Sequence, residues 1–110
     1  MRVELLYVED DPASMAARQN LVEVLTEDAF ETPIQMIVVR SMEDAELLDF
    51  RGSPTIRIDG EDIDPRPPAK VGLHARAYSA SDGTAGPIPD KGLIRRAVER
   101  ARGWGHGRRG

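Results

Sequence analysis

The chain has 110 residues, 40% hydrophobic and 31% charged, with a formal net charge of −4, which describes one globular domain with one core and not a disordered segment. It contains no cysteine, and this excludes disulfides, thiolate metal sites and cysteine nucleophiles. No apolar run approaches the roughly 18 to 20 residues of a membrane span and Met1-Arg2 is not followed by a signal-peptide core, so a soluble cytoplasmic protein is expected.

Val3-Glu4-Leu5-Leu6-Tyr7-Val8 is a short apolar run with β-branched and aromatic residues, and it predicts a buried strand. Glu9-Asp10-Asp11-Pro12 follows. Proline suits the first turn of a helix and Asp11 or Asp10 its cap, and Ala17, Leu21, Val24 and Leu25 recur at helical spacing, so a helix is predicted from Ala13 to about Ala29. Ile34–Val39 is almost continuously apolar, as strands of a parallel sheet covered on both faces are. Strand, helix and strand make a right-handed βαβ unit. Ser41 with Glu43 and Asp44 opens a short helix to about Phe50, and Arg51-Gly52-Ser53 ends it.

Thr55–Ile58 is the third predicted strand, and Asp59-Gly60 is a turn that sends the chain back antiparallel. The stretch 61–71, with Pro65, Pro67 and Pro68, is expected to be an irregular connection. Leu73-His74-Ala75-Arg76-Ala77-Tyr78 alternates with period two and is expected to be the fourth strand, with Leu73, Ala75 and Ala77 as its small apolar face. Ser79–Pro89 reads as a loop. Asp90 caps a last helix to about Arg102 with Leu93, Ile94, Ala97, Val98 and Ala101 inward, and residues 103–110 read as a flexible basic tail.

Charge is unevenly spread. Residues 1–68 hold 16 acidic and 6 basic side chains, whereas residues 91–110 hold 7 basic and 1 acidic. A solvated acidic body with a basic last helix accounts for this, and with aromatic content at 5% the stacking surfaces that bind single-stranded nucleic acid are scarce. Nucleic acid is therefore not an expected partner.

The order βαβαββα, with Asp11-Pro12 at a strand-to-helix turn and Gly52-Ser53-Pro54-Thr55-Ile56-Arg57-Ile58-Asp59-Gly60 about forty residues later, resembles a thioredoxin-like domain. It is similar to small bacterial thioredoxin-like proteins grouped by remote similarity with alkylmercury lyases. The resemblance covers roughly residues 2–102 and implies an α/β fold: a mixed four-stranded sheet with helices on both faces. It further implies a cis peptide at Ser53–Pro54. Asp11 stands where that family carries its first cysteine, Ser14 where it carries the second, and Ala75 where it carries one on the fourth strand. Disulfide exchange and carbon–mercury cleavage both need thiolates, so neither is expected here.

The resemblance leaves a surface at Asp10, Asp11, Pro12, Ser14, Ser53, Pro54 and Thr55 as the candidate groove. The expected role is a redox-inactive binding or regulatory module with a protein or small-molecule partner, no cofactor and no metal. A thiol-independent enzyme or small-ligand-binding protein using the same groove is the alternative. A third reading casts Glu9-Asp10-Asp11 as the Mg²⁺-binding acids of a response-regulator receiver and Asp59 as phosphoryl acceptor, but the Asp59-Gly60 reversal and the missing further βα units oppose it. His74 and His106 have no partner pattern for metal or catalysis. Trp104 lies past the last helix, and Asp62 and Asp64 read as a solvated acidic hairpin.

Overall fold

Two apolar sets alternate along the first strand and decide which face each helix covers. The computed structural model describes residues 1–80 and 82–103; most of the predicted basic tail, including Trp104 and His106, lies outside the described residues. Strand β1 (Val3–Val8) sends Val3, Leu5 and Tyr7 to one face and Leu6 and Val8 to the other. Helix α1 (Pro12–Glu27) lies over the first face, burying Ala17, Leu21, Val24 and Leu25. Strand β2 (Ile34–Val39) returns parallel to β1, with Val3 opposite Ile34 and Val8 opposite Val39. Helix α2 (Met42–Leu48), capped by Ser41, serves the second face, where Leu6, Val39, Ala45 and Phe50 form a smaller core.

Strand β3 (Arg51–Ser53) leads into β4 (Thr55–Ile58), which runs antiparallel to β1 and puts Ile56 and Ile58 into the larger core. Helix α3 (Lys91–Ala101), capped by Asp90, lies on the same face as α1 with Leu93, Ile94, Ala97 and Val98 buried. Lys91 bridges Glu23 and Glu27 of α1 at 3.1 Å each, and Arg95 also reaches Glu27. The hydrogen bond from Lys91, then that from Arg95, holds the Glu27 carboxyl below its usual value. The result is an α/β domain: a mixed four-stranded sheet with α1 and α3 over one face and α2 over the other.

The partner of Thr55–Ile58 was expected at Leu73–Tyr78; it is instead β5 (Glu61–Asp62), paired Ile58 to Glu61 and Arg57 to Asp62. The reason is the turn. Asp59 and Gly60 both take positive φ, 53° and 86°, the requirement of a two-residue hairpin turn whose twist matches the strands, so the return strand must start at Glu61. The prolines that argued for an irregular connection only begin three residues beyond Asp62.

The predicted fourth strand is divided. Its first part, β6 (Gly72–Ala75), pairs parallel with β3, and Tyr78–Ser79 forms β7, a small hairpin with β8 (Ala85–Gly86) inside the predicted loop. Its facing is also inverted: Leu73, Ala75 and Ala77 are exposed, while Arg76 and Tyr78 are 2% exposed. Tyr78 carries far more apolar area than two alanines, and Arg76 enters the interior because a carboxylate meets it there. Asp62 is that carboxylate, at 2.8 Å and 3.2 Å from the two terminal nitrogens of Arg76, with Asp64 at 3.7 Å. These acids are not a solvated pair; their side chains are 14% and 24% exposed.

Removing one partner of a buried ion pair leaves an uncompensated charge. Asp62→Ala is therefore expected to lower the unfolding free energy by about 3–5 kcal/mol, and Asp64→Ala, at the looser contact, by about 1 kcal/mol or less. Urea unfolding followed by circular dichroism measures both, and equal losses would remove Asp62 from its assigned role.

Candidate functional site

The acidic turn is built around the cap of α1. Asp11 is extended, with φ −82° and ψ 110°, and one carboxylate oxygen accepts from the Ala13 N–H at 3.0 Å, satisfying a helix donor that has no intrahelical partner. The other oxygen accepts from the Ser53 hydroxyl at 2.5 Å. Ser53 Oγ itself accepts from the Val8 N–H at 3.0 Å, and the Ser14 hydroxyl donates to the Asp11 carbonyl at 2.6 Å. A continuous run of hydrogen bonds thus links the end of β1, the start of α1 and the approach to β4. Asp10 sits at φ 67°, a left-handed conformation that aspartate tolerates better than most residues.

All seven candidate groove residues lie at one end of the sheet, since β1 ends where β4 begins and Leu6 pairs with Thr55. Their exposure divides them. Asp10 and Pro12 face solvent and Asp11 is half-buried, whereas Ser14, Ser53, Pro54 and Thr55 are buried. Helix α2 begins at the same end, because β2 is parallel to β1, and an exposed ion pair of 3.5 Å joins Glu9 to Arg40 beside it. Met15 and Met42 stand exposed on the first turns of α1 and α2, at 60% and 48%.

The Ser53–Pro54 peptide is cis. The three carbonyls around it are already taken by this chain: Gly52 O accepts from the Thr55 hydroxyl at 2.7 Å, Ser53 O from the Arg76 N–H at 2.9 Å, and Pro54 O from the Tyr78 hydroxyl at 2.6 Å. The Arg76 guanidinium also donates to Thr55 Oγ1 at 3.1 Å and stacks 4.6 Å from the centre of the Tyr78 ring. Its Nε alone finds no acceptor among the described residues. Gly52 is required where Arg76 crosses it: φ is +112°, and an added Cβ would fall 2.9 Å from Arg76 Cδ and 3.1 Å from the His74 ring.

Burial works to lower the Arg76 pKa, but the hydrogen bonds and charge of Asp62 outweigh it and the guanidinium stays cationic. Burial pushes the Tyr78 phenol well above its usual value, against the opposing pull of Arg76. Sequence reasoning missed this Arg76–Asp62–Thr55–Tyr78 network. The available signal was a single arginine two residues before a tyrosine in a run of otherwise small residues, which marks a charge drawn inward as readily as one pointing outward.

Asp59 is at the far end of β1 from Asp10 and Asp11. Its carboxylate accepts from the Arg2 N–H at 2.7 Å, and its own N–H donates to Arg2 O. Among the described residues no three His, Asp or Glu side chains converge as a metal site would need, and His74 is exposed. Among the described residues, cavities of 250 to 410 Å³ lie elsewhere, beside the β4–β5 hairpin and α3, between α1 and β2, and around Asp49, Arg51 and Arg57. Comparisons with protein-family models, curated proteins and solved structures find no match to this chain.

Two measurements test the geometry. Asp11→Ala and Ser53→Ala are each expected to cost about 1–2 kcal/mol, and a double-mutant cycle should return a coupling of about 1–2 kcal/mol between them; additive losses would mean the two side chains do not act as a unit. For Tyr78, the folded protein keeps a phenol proton that the unfolded chain releases near its ordinary pKa of about 10. Stability is thus fully present below that pH and falls as pH rises past it. Tyr78→Phe loses the bond to Pro54 O, about 1 kcal/mol at neutral pH, but its stability should decline less steeply above pH 10 in denaturant titrations. Parallel slopes in the two proteins would contradict the assignment.

Proposed function

We propose that this chain is a thioredoxin-like domain without thiol chemistry that acts in the cytoplasm as a binding or regulatory module, engaging a protein partner at the end of the sheet where Asp10, Asp11 and Pro12 stand beside Ser53, Pro54 and Thr55. The fold part of this reading is supported by the strand order β2-β1-β4-β5, parallel at β1·β2 and antiparallel at β4 and β5, and by the alternate covering of the two sheet faces.

The observation that carries the functional part is the engagement of Asp11. Its carboxylate, at the position where thioredoxin-like enzymes present a thiolate, is consumed by a helix donor and by the Ser53 hydroxyl. Both of its oxygens are thus committed to holding the turn and not to a reacting group. Ser14 is buried and tied to the backbone, and the Ser53 hydroxyl is itself held between the Val8 N–H and Asp11. What remains for a partner is shape and charge: the exposed Glu9, Asp10 and Pro12, with Met15 and Met42 on the flanking helix starts. An acidic rim around adaptable methionines fits a basic, partly apolar protein surface.

A photo-crosslinking residue placed at Met15 is expected to trap such a partner in cells, and Asp10→Arg in the same chain to reduce the yield about tenfold or more, since it sets like charges against each other. A crosslinker at Leu47, exposed on α2 away from the turn, should not trap it. Trapping that is equal at both positions, or indifferent to Asp10→Arg, would overturn this placement of the binding face.

A further inference from the structure

The two edges of the four-stranded sheet differ. One is β5, two acidic residues long, with Asp62 turned to Arg76. The other is β2, six residues of Ile-Gln-Met-Ile-Val-Val, which has β1 on one side and no strand on the other among the described residues. An edge strand presents a row of unpaired N–H and C=O groups, and soluble proteins ordinarily blunt such a row with charge, proline, a bulge or brevity. β2 has none of these within it. Residues 32–39 are the longest stretch of this chain free of Asp, Glu, Lys and Arg, and the β1·β2 register runs from Val3–Ile34 to Val8–Val39 without a shift.

The ground beside that edge is mostly apolar. On the α1 face of the sheet, a cavity of about 340 Å³ opens between α1 and the start of β2, lined by Val22, Leu25, Phe30, Pro33 and Ile34 together with Thr26, Thr32 and Glu31. Two residues along from Ile34, on the same face by strand alternation, Met36 is 37% exposed.

We propose that β2 is a self-association edge, and that a second copy of this chain pairs with it antiparallel about a two-fold axis perpendicular to the sheet, near Met36. The symmetry makes the argument for a copy over a foreign strand. An extended peptide would satisfy the free backbone groups but leave the apolar margin along α1 uncovered. A two-fold axis perpendicular to the sheet keeps every residue on its own face, so α1 of one copy comes to lie beside α1 of the other and each margin covers its equivalent. One operation then closes the edge and the apolar margin together, joining two four-stranded sheets into one. The same face rule requires that a residue near the axis oppose itself, and Met36, at mid-strand, is the one that does so on the α1 side. With no charge in the segment, this association should be insensitive to salt.

Sedimentation equilibrium of the full chain at tens of micromolar is expected to give about twice the monomer mass of 12.1 kDa, unchanged between low and high salt. Met36→Lys, which opposes two ammonium groups across the axis, is expected to weaken the dimer about a hundredfold or more with an unchanged circular dichroism spectrum. Because the chain has no cysteine, Met36→Cys supplies a unique thiol: mild oxidation should link two copies at least about tenfold faster than in Leu47→Cys, whose thiol sits on exposed α2, because only the former is held within bridging distance. A wild-type monomer at these concentrations overturns the proposal. So does a dimer that survives Met36→Lys, or equal crosslinking rates in the two cysteine variants, either of which would place the interface elsewhere on the molecule.

Discussion

The Arg76 guanidinium has no exposed surface, and the arrangement around it follows from the need to keep that charge satisfied. Taking a cation out of water costs several kcal/mol even after relaxation, comparable with the whole net stability of a small domain. Asp62 meets the charge with two oxygens, which is possible only because the Asp59-Gly60 turn is two residues long and sets Asp62 in register opposite Arg57. Thr55 supplies a further acceptor and Tyr78 a ring face. Each of these comes from a different segment, so the arginine joins the β4–β5 hairpin, the entrance of β4 and the chain that follows β6. Gly52 completes the set by its lack of a side chain where Arg76 passes.

The candidate surface inherits its rigidity from that centre. The Ser53 carbonyl is fixed by the Arg76 N–H and its hydroxyl by Val8 and Asp11, while Pro54 is held through its carbonyl by Tyr78. Ser53 therefore stands between two networks, one buried and cationic, the other opening to solvent at Asp10 and Pro12. A surface assembled this way has little left to order, and side-chain and loop ordering is one of the larger costs any interface must offset. The Asp11 carboxylate and the Ser14 and Ser53 hydroxyls are all engaged in holding the turn.

Six of the elements are legible in the sequence because each carries a local signal strong enough to act alone. β1 and β2 are apolar runs of strand length, β4 is the β-branched segment Thr55–Ile58 closed by Asp59-Gly60, α1 and α3 repeat apolar residues at helical spacing, and Asp11, Ser41 and Asp90 cap the three helices as residues of their type should. The fourth strand fails for an identifiable reason. Glu61-Asp62 is too short and too acidic to signal a strand by pattern, and only the Asp-Gly turn, whose loop length dictates where pairing resumes, specifies it. Alternation then misleads at Leu73–Tyr78, because the residues that turn inward include a charge. Period-two reading assigns the apolar set to the core, and it has no means of seeing a carboxylate fourteen residues upstream that makes an arginine the better occupant. At the site, Asp11 is legible as a cap; its second bond, to Ser53 across 42 residues, is a tertiary contact to which neither residue's local sequence points.

The acidic half of the chain is also less free than its composition suggests. Of the acids in the hairpin, Asp59 accepts from the backbone of Arg2 and Asp62 is committed to Arg76, while Asp11 is committed to the cap. On the helices, Glu23 and Glu27 answer Lys91 and Arg95, which lie in the basic C-terminal stretch. Part of the charge imbalance between the two ends of the sequence is thus internal complementarity between α1 and α3, exposed and individually worth little. What is left exposed and outside these pairs, among the described residues, is spread over Asp10, Glu31, Glu43, Glu46, Glu61 and Glu99, with Glu9 only loosely paired to Arg40. Long-range steering depends on summed charge and falls off beyond about 8 Å at physiological salt. At the acidic turn before α1, the exposed Glu9 and Asp10 stand on a backbone fixed by the bonds of Asp11 and Ser53, so the charge there acts at contact range from a held frame.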